Sequence, residues 1–337
     1  MKARDFLAKW SGGERFKFIK RLFRRRAPRI ATPPTVAEKS IKASAPPLNT
    51  LIVCGNCQAG AIAHILKKTR AVQPLFRVIF YNNFETPGKA NASIQSEQLT
   101  NCRIFLRQSL PAPFPFLDQL PNYCLKMEFR SLDFHLLWPF GCANPYHKPG
   151  QQAPSETFPY GDRIILDCVN KGMKSDEILD YYLNGWQQYR VNLQRLIDVE
   201  RSRQAEQDSH CEVKMGGWMM ENFRRKRLHW TVNHPSTIAV RELIQRLLDA
   251  AAGLEPALEK ANIDQTLRVH FPSPRGPLGI VVVPIHPRVA EALELEWYEP
   301  NALHPFFERT YSYEQYFRDL IEYCIKERAA AMSEIFG

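Results

Sequence analysis

The segment formed by residues 49–70, NTLIVCGNCQAGAIAHILKKTR, constrains the fold more than any other part of the chain. It opens with a short apolar run, residues 51–54, whose length and branching are typical of a buried parallel strand. Gly55-Asn56 ends that run, and apolar residues at helical spacing follow, up to three basic residues that suit a helix C-terminus. A strand, a glycine turn and a helix in succession predict an open α/β sheet whose ligands bind at the carboxyl ends of the strands.

Cys57 lies at the predicted start of this helix. Backbone N–H groups and the helix dipole stabilise a thiolate at such a position, so Cys57 is the leading candidate for a nucleophile. Thiol acyl transfer also needs a base within hydrogen-bond reach and N–H donors for an oxyanion. We expect Gly55, Asn56 and Gln58 to form this part of the site, with backbone N–H groups at 57 and 58 as the oxyanion donors.

The net charge of +10 is concentrated at the start of the chain. Residues 1–30 hold eleven Lys and Arg against two acidic residues, which leaves 34 basic and 33 acidic residues in the remainder. Bulky apolar residues alternate with the cations of this segment, as in an amphipathic helix on an anionic membrane surface. A solvated basic tail and a nucleic-acid contact are the alternatives, the last being the least favoured.

Length and an apolar content of 45% allow one large core or two modest ones. Residues 31–48 form a Pro-rich linker, and we expect a single α/β catalytic domain over 49–337. The eight cysteines are scattered and do not form a disulfide framework, and no signal peptide is recognised ahead of them. No apolar run is long enough to span a membrane. We therefore expect a cytoplasmic protein, peripheral on the inner face of the plasma membrane through residues 1–30. No nucleic-acid partner is expected, and the oligomeric state is not predicted.

Further strands and helices alternate along the chain. We predict strands at 76–80, 102–106, 228–231 and 279–283, and helices at 175–204, 215–227, 237–251 and 312–332. Residues 110–161, rich in proline and aromatic side chains, are predicted to be a long loop. Gln108 ends the third strand and is expected to face the site.

The base should be one of nine histidines. His234 is preferred because Asn233-His234-Pro235 connects a strand to a helix and can reach the edge of the sheet. His286 and His304 are rivals, since proline follows each of them as well.

Two further patterns have alternative interpretations. Cys54 and Cys57 form a C-x-x-C motif at a strand–helix junction, as in thioredoxin-type redox pairs, although Cys54 is equally a small core residue. No second C-x-x-C is present for a four-thiolate zinc site, so we predict no metal.

Arg224, Arg225 and Arg227 are either phosphate ligands or a solvated helix end. Dinucleotide and P-loop fingerprints are absent.

Two motifs resemble the WcbI-like polysaccharide-biosynthesis family. They are the run VCGNCQA over 53–59 and the run TVNHPS over 231–236, and residues 284–290 also resemble a late segment of that family. The resemblance spans about residues 49–323 and implies an SGNH-hydrolase-like (flavodoxin-like) parallel sheet flanked by helices, with helical additions. It also implies coenzyme A or acetyl-CoA as cofactor, and O-acetylation of a sugar in a capsular or surface polysaccharide.

Within this resemblance, Cys57 stands where SGNH enzymes have serine and His234 stands as the base. The aspartate that those enzymes place three residues before histidine is replaced by Thr231. A Cys-His dyad, or an acid from elsewhere, must then orient His234. We expect an acyltransferase, with an esterase or deacetylase of the same fold as the first alternative and a non-enzymatic coenzyme A or glycan-binding protein as the second.

Overall fold

The structure is a computed structural model that describes residues 48–83, 94–111, 114–147, 156–185, 191–273 and 275–336. The basic segment 1–30 and all but Leu48 of the predicted linker lie outside the described residues. The predictions for those segments, and for the domain boundary, therefore stay predictions.

A sheet of four parallel strands forms the centre of the fold, in the order β2-β1-β3-β4. The strands are β1 (Asn49–Gly55), β2 (Phe76–Asn82), β3 (Cys102–Gln108) and β4 (Leu125–Phe129). The chain passes from β1 to β2 on one side and then to β3 on the other. This reversal opens a crevice between β1 and β3 at their carboxyl ends, where open α/β sheets bind ligands.

Helices and short ribbons surround this sheet. The helices are α1 (Cys57–Lys68), α2 (Ser96–Thr100), α3 (Arg163–Asn170), α4 (Ser175–Asn184), α5 (Leu193–Ser209), α6 (Gly216–Asn222), α7 (Thr237–Ala252), α8 (Ile263–His270), α9 (Pro287–Ala292) and α10 (Tyr313–Phe336). Three antiparallel ribbons pair β5 (Gly141–Ala143) with β6 (Tyr160–Asp162), β7 (His229–Thr231) with β8 (His234–Pro235), and β9 (His304–Phe306) with β10 (Arg309–Tyr311). No helix within the described ranges is both long and apolar enough to cross a membrane.

The two faces of the sheet bury cores of unequal size. Leu51 and Val53 of β1 point into the larger core, which α1, α7 and α10 also line. Ile52 and Cys54 point the other way, into a small cluster. We call this second cluster the far-face cluster; its buried members are Ile52, Cys54, Leu99, Cys102, Phe105, Phe114, Leu120 and Cys124. The alternation follows directly from the two-residue period of a strand.

The first three strands and α1 confirm the predicted pattern, and four other predictions were wrong. Residues 125–129, assigned to a loop, form the edge strand β4. Residues 279–283, predicted as a strand, form an isolated bridge from Val281 to Phe306 and backbone hydrogen bonds to residues 230, 305 and 307, without a regular strand. The single helix predicted over 175–204 is two helices, α4 and α5. The helix predicted over 215–227 ends at Asn222, so the arginines that follow lie beyond it.

Candidate active site

Gly55 ends β1 with a φ of 156°, a conformation that favours glycine. A Cβ atom at this position would lie 2.5 Å from Oε1 of Gln108 and 2.7 Å from Cβ of Ala59. Both approaches are too close for any side chain. The turn, residues 55–58, therefore needs glycine at 55 so that Gln108 can lie against it.

Asn56 caps helix α1. Its side-chain Oδ1 accepts a hydrogen bond of 2.8 Å from the Gln58 backbone N–H, and its own N–H donates to Gln108 Oε1 at 2.9 Å. Such caps stabilise a helix by about 1 kcal/mol. Two N–H groups of the turn are thus held by protein acceptors, while the half-buried Cys57 is the first residue of the helix.

The Gln58 side chain is buried, with 1% of its surface exposed, and joins three segments that are distant in sequence. Its Oε1 accepts from the Leu132 N–H at 2.9 Å and from Gln108 Nε2 at 3.3 Å. Its Nε2 donates to the Asn233 carbonyl at 2.9 Å and to the Leu132 carbonyl at 3.3 Å. One amide therefore fixes the start of α1 against residue 132 and against the residue that precedes His234.

Helix α5 holds the 130–133 segment in place. Arg130, with 1% of its surface exposed, donates to the Gln204 carbonyl at 3.0 Å and pairs with Asp208 at 3.3 Å. Gln204 Nε2 in turn donates to the Asp133 carbonyl at 3.0 Å. Asp208 also accepts from the Met215 and Gly216 N–H groups, at 3.0 and 2.7 Å, so the buried charges are paired and hydrogen-bonded.

His234 lies on the short ribbon β7–β8, with Thr231 as its partner in register. Its ring is buried and meets the ring of Tyr160 edge to face, at 6.3 Å between centroids. The Tyr160 hydroxyl donates to Asn233 Oδ1 at 2.9 Å and accepts from Thr231 Oγ1 at 2.8 Å. Thr231, at the place of the missing aspartate, thus belongs to a neutral hydroxyl network around the 233–234 segment.

The two rival histidines have surroundings of their own. His286 caps α9: its Nδ1 accepts from the Arg288 N–H at 3.1 Å, which leaves Nε2 to donate to the Tyr182 carbonyl at 3.2 Å. Burial lowers its pKa. Burial, together with the nearby Arg227 charge, lowers the pKa of His304 to about 4.

Cys54 and Cys57 face different parts of the molecule. Cys54 is 1% exposed within the far-face cluster, and Cys57 packs against the larger core on the other side of the sheet. Burial raises the pKa of the Cys54 thiol to about 12, which keeps it protonated. The two thiols are unbonded, and this arrangement does not favour a redox pair.

The three predicted phosphate ligands contact other regions. Arg224 Nε donates to the Leu293 carbonyl at 3.1 Å, and the exposed Arg225 contacts the Glu221 carbonyl at 3.4 Å. The Arg227 guanidinium lies between two indole rings, 5.0 Å from Trp230 and 5.3 Å from Trp297. Burial lowers its pKa to about 10, and within the described ranges its buried Nε has no hydrogen-bond partner.

Sequence reasoning missed Tyr160 and Leu132, and it gave Asp133 only a local backbone role. Leu132 and Asp133 contact the Gln58 side chain, and Tyr160 contacts Asn233. Tyr160 and Leu132 fall within the segment that was assigned to a loop. The Thr231–Tyr160 and Leu132–Gln58 hydrogen bonds join residues 71 and 74 positions apart. No local pattern signals partners at such separations.

A sequence profile of the family described as "Polysaccharide biosynthesis enzyme WcbI" matches residues 50–257 of this chain. The chain belongs to the WcbI family. The match includes the turn, Gln108 and the 231–236 motif, so every residue joined through Gln58 lies within the family region. A comparison with curated protein sequences gives no significant match.

A solved structure shares the fold of this WcbI-family chain. It is described as WcbI, a novel polysaccharide biosynthesis enzyme, as native protein without a disulfide bond between coenzyme A and a cysteine of that protein. The two chains are 14% identical, with a TM-score of 0.66, and the match covers 83% of this chain and 91% of the other. At that identity the likeness establishes the architecture.

Proposed function

We propose that this polysaccharide biosynthesis enzyme transfers an acyl group, with acetyl-CoA as donor, to a hydroxyl of a sugar in a surface or capsular polysaccharide. The observation that carries the proposal is the Gln58 amide, which ties the helix start that bears Cys57 to the carbonyl of Asn233, next to His234. The bond supports a site in which the Cys57 thiol and the His234 imidazole act together, as in the SGNH-hydrolase-like arrangement that the resemblance implies.

The roles divide between reacting and positioning groups. Cys57 takes the acyl group or positions the thioester, and His234 removes the proton from the attacking thiol or sugar hydroxyl and returns it to the leaving group. Gln58, Gln108 and Gly55 shape the turn. The N–H groups of Asn56 and Gln58 are held by Gln108 and Asn56, so a substrate oxyanion would reach the Gln58 N–H only if the Asn56 side chain turned away.

Coenzyme A fits two features of the chain. A half-buried thiol at a helix start suits a thioester or thiol ligand, and the solved WcbI structure is described as native protein without a disulfide bond between coenzyme A and a cysteine. The buried Arg227 Nε has no hydrogen-bond partner within the described ranges, and a phosphate oxygen would supply that acceptor. When bound, the cofactor supplies the acyl group as a thioester. We propose Arg227 as a phosphate ligand, with Arg224 and Arg225 beside it on the surface.

The test measures binding and turnover separately. Isothermal titration of the whole protein with coenzyme A and with acetyl-CoA should give binding, which Arg227→Ala weakens and Arg201→Ala, an exposed arginine of α5, does not. Release of free coenzyme A thiol should then depend on added surface polysaccharide and should be lost in His234→Ala. Absence of coenzyme A binding to the wild-type protein would contradict the proposal.

The same turnover assay separates the alternatives. An esterase or deacetylase of this fold would release acetate from acetylated polysaccharide or p-nitrophenyl acetate without coenzyme A. A protein that only binds coenzyme A or glycan would show binding with no dependence of thiol release on Cys57. We favour transfer because the family is one of polysaccharide biosynthesis.

We also propose that residues 1–30 bind the anionic inner surface of the plasma membrane, on the strength of their eleven basic residues. Deletion of residues 1–40 should leave coenzyme A binding unchanged and weaken binding to phosphatidylserine vesicles at low salt. Equal vesicle binding by the truncated and full chains would contradict this.

A further inference from the structure

The far-face cluster contains two cysteines whose sulfur atoms lie close together. The Sγ atoms of Cys102 and Cys124 are 3.6 Å apart, within the distance of an S–H···S hydrogen bond. Cys102 is the first residue of β3 and Cys124 immediately precedes β4, so both thiols lie at the amino ends of neighbouring parallel strands. The turn that bears Cys57 lies at the opposite, carboxyl end of the sheet. The pair therefore belongs to a region separate from the proposed acyl-transfer site.

The two sulfur atoms are near enough to bond after a local adjustment. A disulfide has an S–S length of about 2.05 Å, so the sulfur atoms must approach each other by roughly 1.5 Å. Both thiols belong to the same apolar cluster, although they are 22 positions apart in the sequence. The C-x-x-C motif of Cys54 and Cys57, by contrast, places its two thiols on opposite sides of the sheet. The structure thus brings together a different pair from the one that the motif indicates.

The two thiols of the pair differ in acidity. A hydrogen bond from Cys102 lowers the pKa of the Cys124 thiol, and the Lys126 charge acts in the same direction, against the opposing effect of burial. The pKa of Cys102 is raised, because its proton is held in that hydrogen bond and because its side chain is fully buried. Cys124 is therefore the thiol that ionises first, and the thiolate is the form that reacts with oxidants.

Cys124 is also the thiol nearer to solvent. It is 7% exposed, whereas Cys102 has no exposed surface, and it directly follows Tyr123, which is 57% exposed. The chain turns at this point, since the Cys124 N–H donates to the Pro121 carbonyl at 3.0 Å. A small oxidant that approaches this surface turn reaches Cys124 before Cys102.

We propose that Cys102 and Cys124 form a reversible disulfide when the protein meets hydrogen peroxide, with Cys124 as the thiol that reacts first. The Cys124 thiolate attacks one peroxide oxygen and the O–O bond breaks. A sulfenic acid forms on Cys124, and the other oxygen leaves as hydroxide, which takes up a proton to give water. This modification site is independent of the acyl transfer proposed above.

The second step closes the disulfide. The Cys102 sulfur attacks the Cys124 sulfur, the S–S bond forms, and the sulfenic oxygen leaves as water with the proton of Cys102. In total, two thiols and one peroxide give one disulfide and two waters, and the peroxide gains the two electrons that the thiols lose. A dithiol reductant returns both residues to thiols by exchange.

Peptide mapping of the full-length protein tests the link directly. The reduced protein is treated with hydrogen peroxide, its remaining thiols are blocked with N-ethylmaleimide in urea, and trypsin is added without reductant. Trypsin cleaves after lysine and arginine and therefore places Cys102 in peptide 90–103 and Cys124 in peptide 108–126, each with a single cysteine. A disulfide that dithiothreitol reverses should join these two peptides, at least about tenfold more abundant than any other cysteine pair.

Alanine variants test the order of the two steps, with dimedone as a trap for sulfenic acid. Cys102→Ala removes the second thiol, so dimedone should label Cys124. Cys124→Ala removes the first thiol, so Cys102 should stay unlabelled. Cys211→Ala is the matched control: Cys211 is 6% exposed, close to the value for Cys124, but burial raises its pKa to about 11. This variant should form the disulfide as the wild-type protein does.

The wild-type peptide map needs no variant and decides the proposal by itself. The proposal is overturned if Cys102 and Cys124 both stay reduced while Cys57 is oxidised, or if either of them is joined to Cys54 instead. Dimedone on Cys102 in Cys124→Ala would contradict the order of reaction. Loss of the disulfide in Cys211→Ala would show that the geometry of the pair does not select it.

Discussion

Cys54 and Cys57 are three positions apart, yet they belong to regions with opposite properties. Cys54 ends its strand inside the far-face cluster, where burial keeps the thiol protonated. Cys57 starts a helix at the edge of the sheet, half-buried, beside the Gln58 amide that reaches Asn233. The difference shows that the strand-to-helix turn, rather than the cysteine itself, decides the surroundings of the thiol: the same side chain is a core residue on one side of Gly55 and a candidate nucleophile on the other.

The largest expected effect comes from exchanging these two thiols for alanine. Cys57→Ala should lower acyl transfer roughly 10,000-fold or more, since it removes the reacting group. Cys54→Ala should keep near-wild-type turnover and cost roughly 1 kcal/mol of folding free energy, as a small core truncation. Release of coenzyme A thiol and urea unfolding measure the two effects. Equal loss of turnover in both variants would favour the redox interpretation.

His234 and His286 extend the comparison to the base. His234→Ala should lower turnover by about 100- to 10,000-fold with little change in coenzyme A affinity, as for loss of a general base. His286→Ala should keep turnover and lose about 0.5–2 kcal/mol of stability, because His286 caps α9. The assignment would be reversed if His286→Ala lost turnover and His234→Ala did not.

Gly55 lies between Cys54 and Cys57, in the turn that joins β1 to α1. Substitution of Gly55 should distort this turn. Gly55→Ala brings a methyl group against Gln108 and should cost about 3 kcal/mol of folding free energy. Gly217→Ala, in helix α6, is the control, because a Cβ there meets nothing within 4 Å. It should be neutral or stabilise by up to about 1 kcal/mol. Equal losses of folding free energy in the two variants, measured by urea unfolding, would show that the close approach of Gln108 to Gly55 is unimportant.

The larger-core side also carries a buried carboxyl, which the far-face cluster lacks among its described members. Burial raises the pKa of Asp162 to about 6 from an ordinary value of 3.8. Between these values the folded state holds the proton more tightly than the unfolded state, so this group lowers stability as pH rises from about 4 to about 6. Asp162→Asn should reduce the loss of unfolding free energy over this pH range by roughly 2 kcal/mol, as measured by urea unfolding. Parallel pH profiles for both proteins would contradict the raised pKa.

The sequence predicted the elements that are locally self-evident. The apolar runs of β1 and β3, and the glycine turn before α1, allowed Cys57 to be placed correctly at a helix start. Strand β4 was missed because Leu125-Lys126-Met127-Glu128-Phe129 alternates as an edge strand inside a proline-rich stretch. Residues 279–283 were assigned to a strand because they are continuously apolar, but burial of Val281 and Val282 comes from tertiary packing with a single bridge.

In the candidate site too, features set by neighbouring residues could be predicted from the sequence, and contacts between distant residues could not. Asn56 as a helix cap follows from its position in the turn. The role of Gln58 does not, because its partners are 74 and 175 residues away. Sequence reasoning gave Gln58 an oxyanion role from its backbone, whereas its side chain is the connection between Cys57 and the His234 segment.

The most direct test of the central claim, that Cys57 and His234 act as a pair, is the rate at which iodoacetamide alkylates each cysteine, followed by peptide mass spectrometry. In the wild-type protein near pH 7, Cys57 should be modified first and Cys54 last. In His234→Ala the Cys57 rate should fall at least about tenfold, because an adjacent imidazolium stabilises the thiolate, while the Cys54 rate stays the same. An unchanged Cys57 rate in His234→Ala, equal labelling of both thiols, or a readily formed Cys54–Cys57 disulfide would contradict the account.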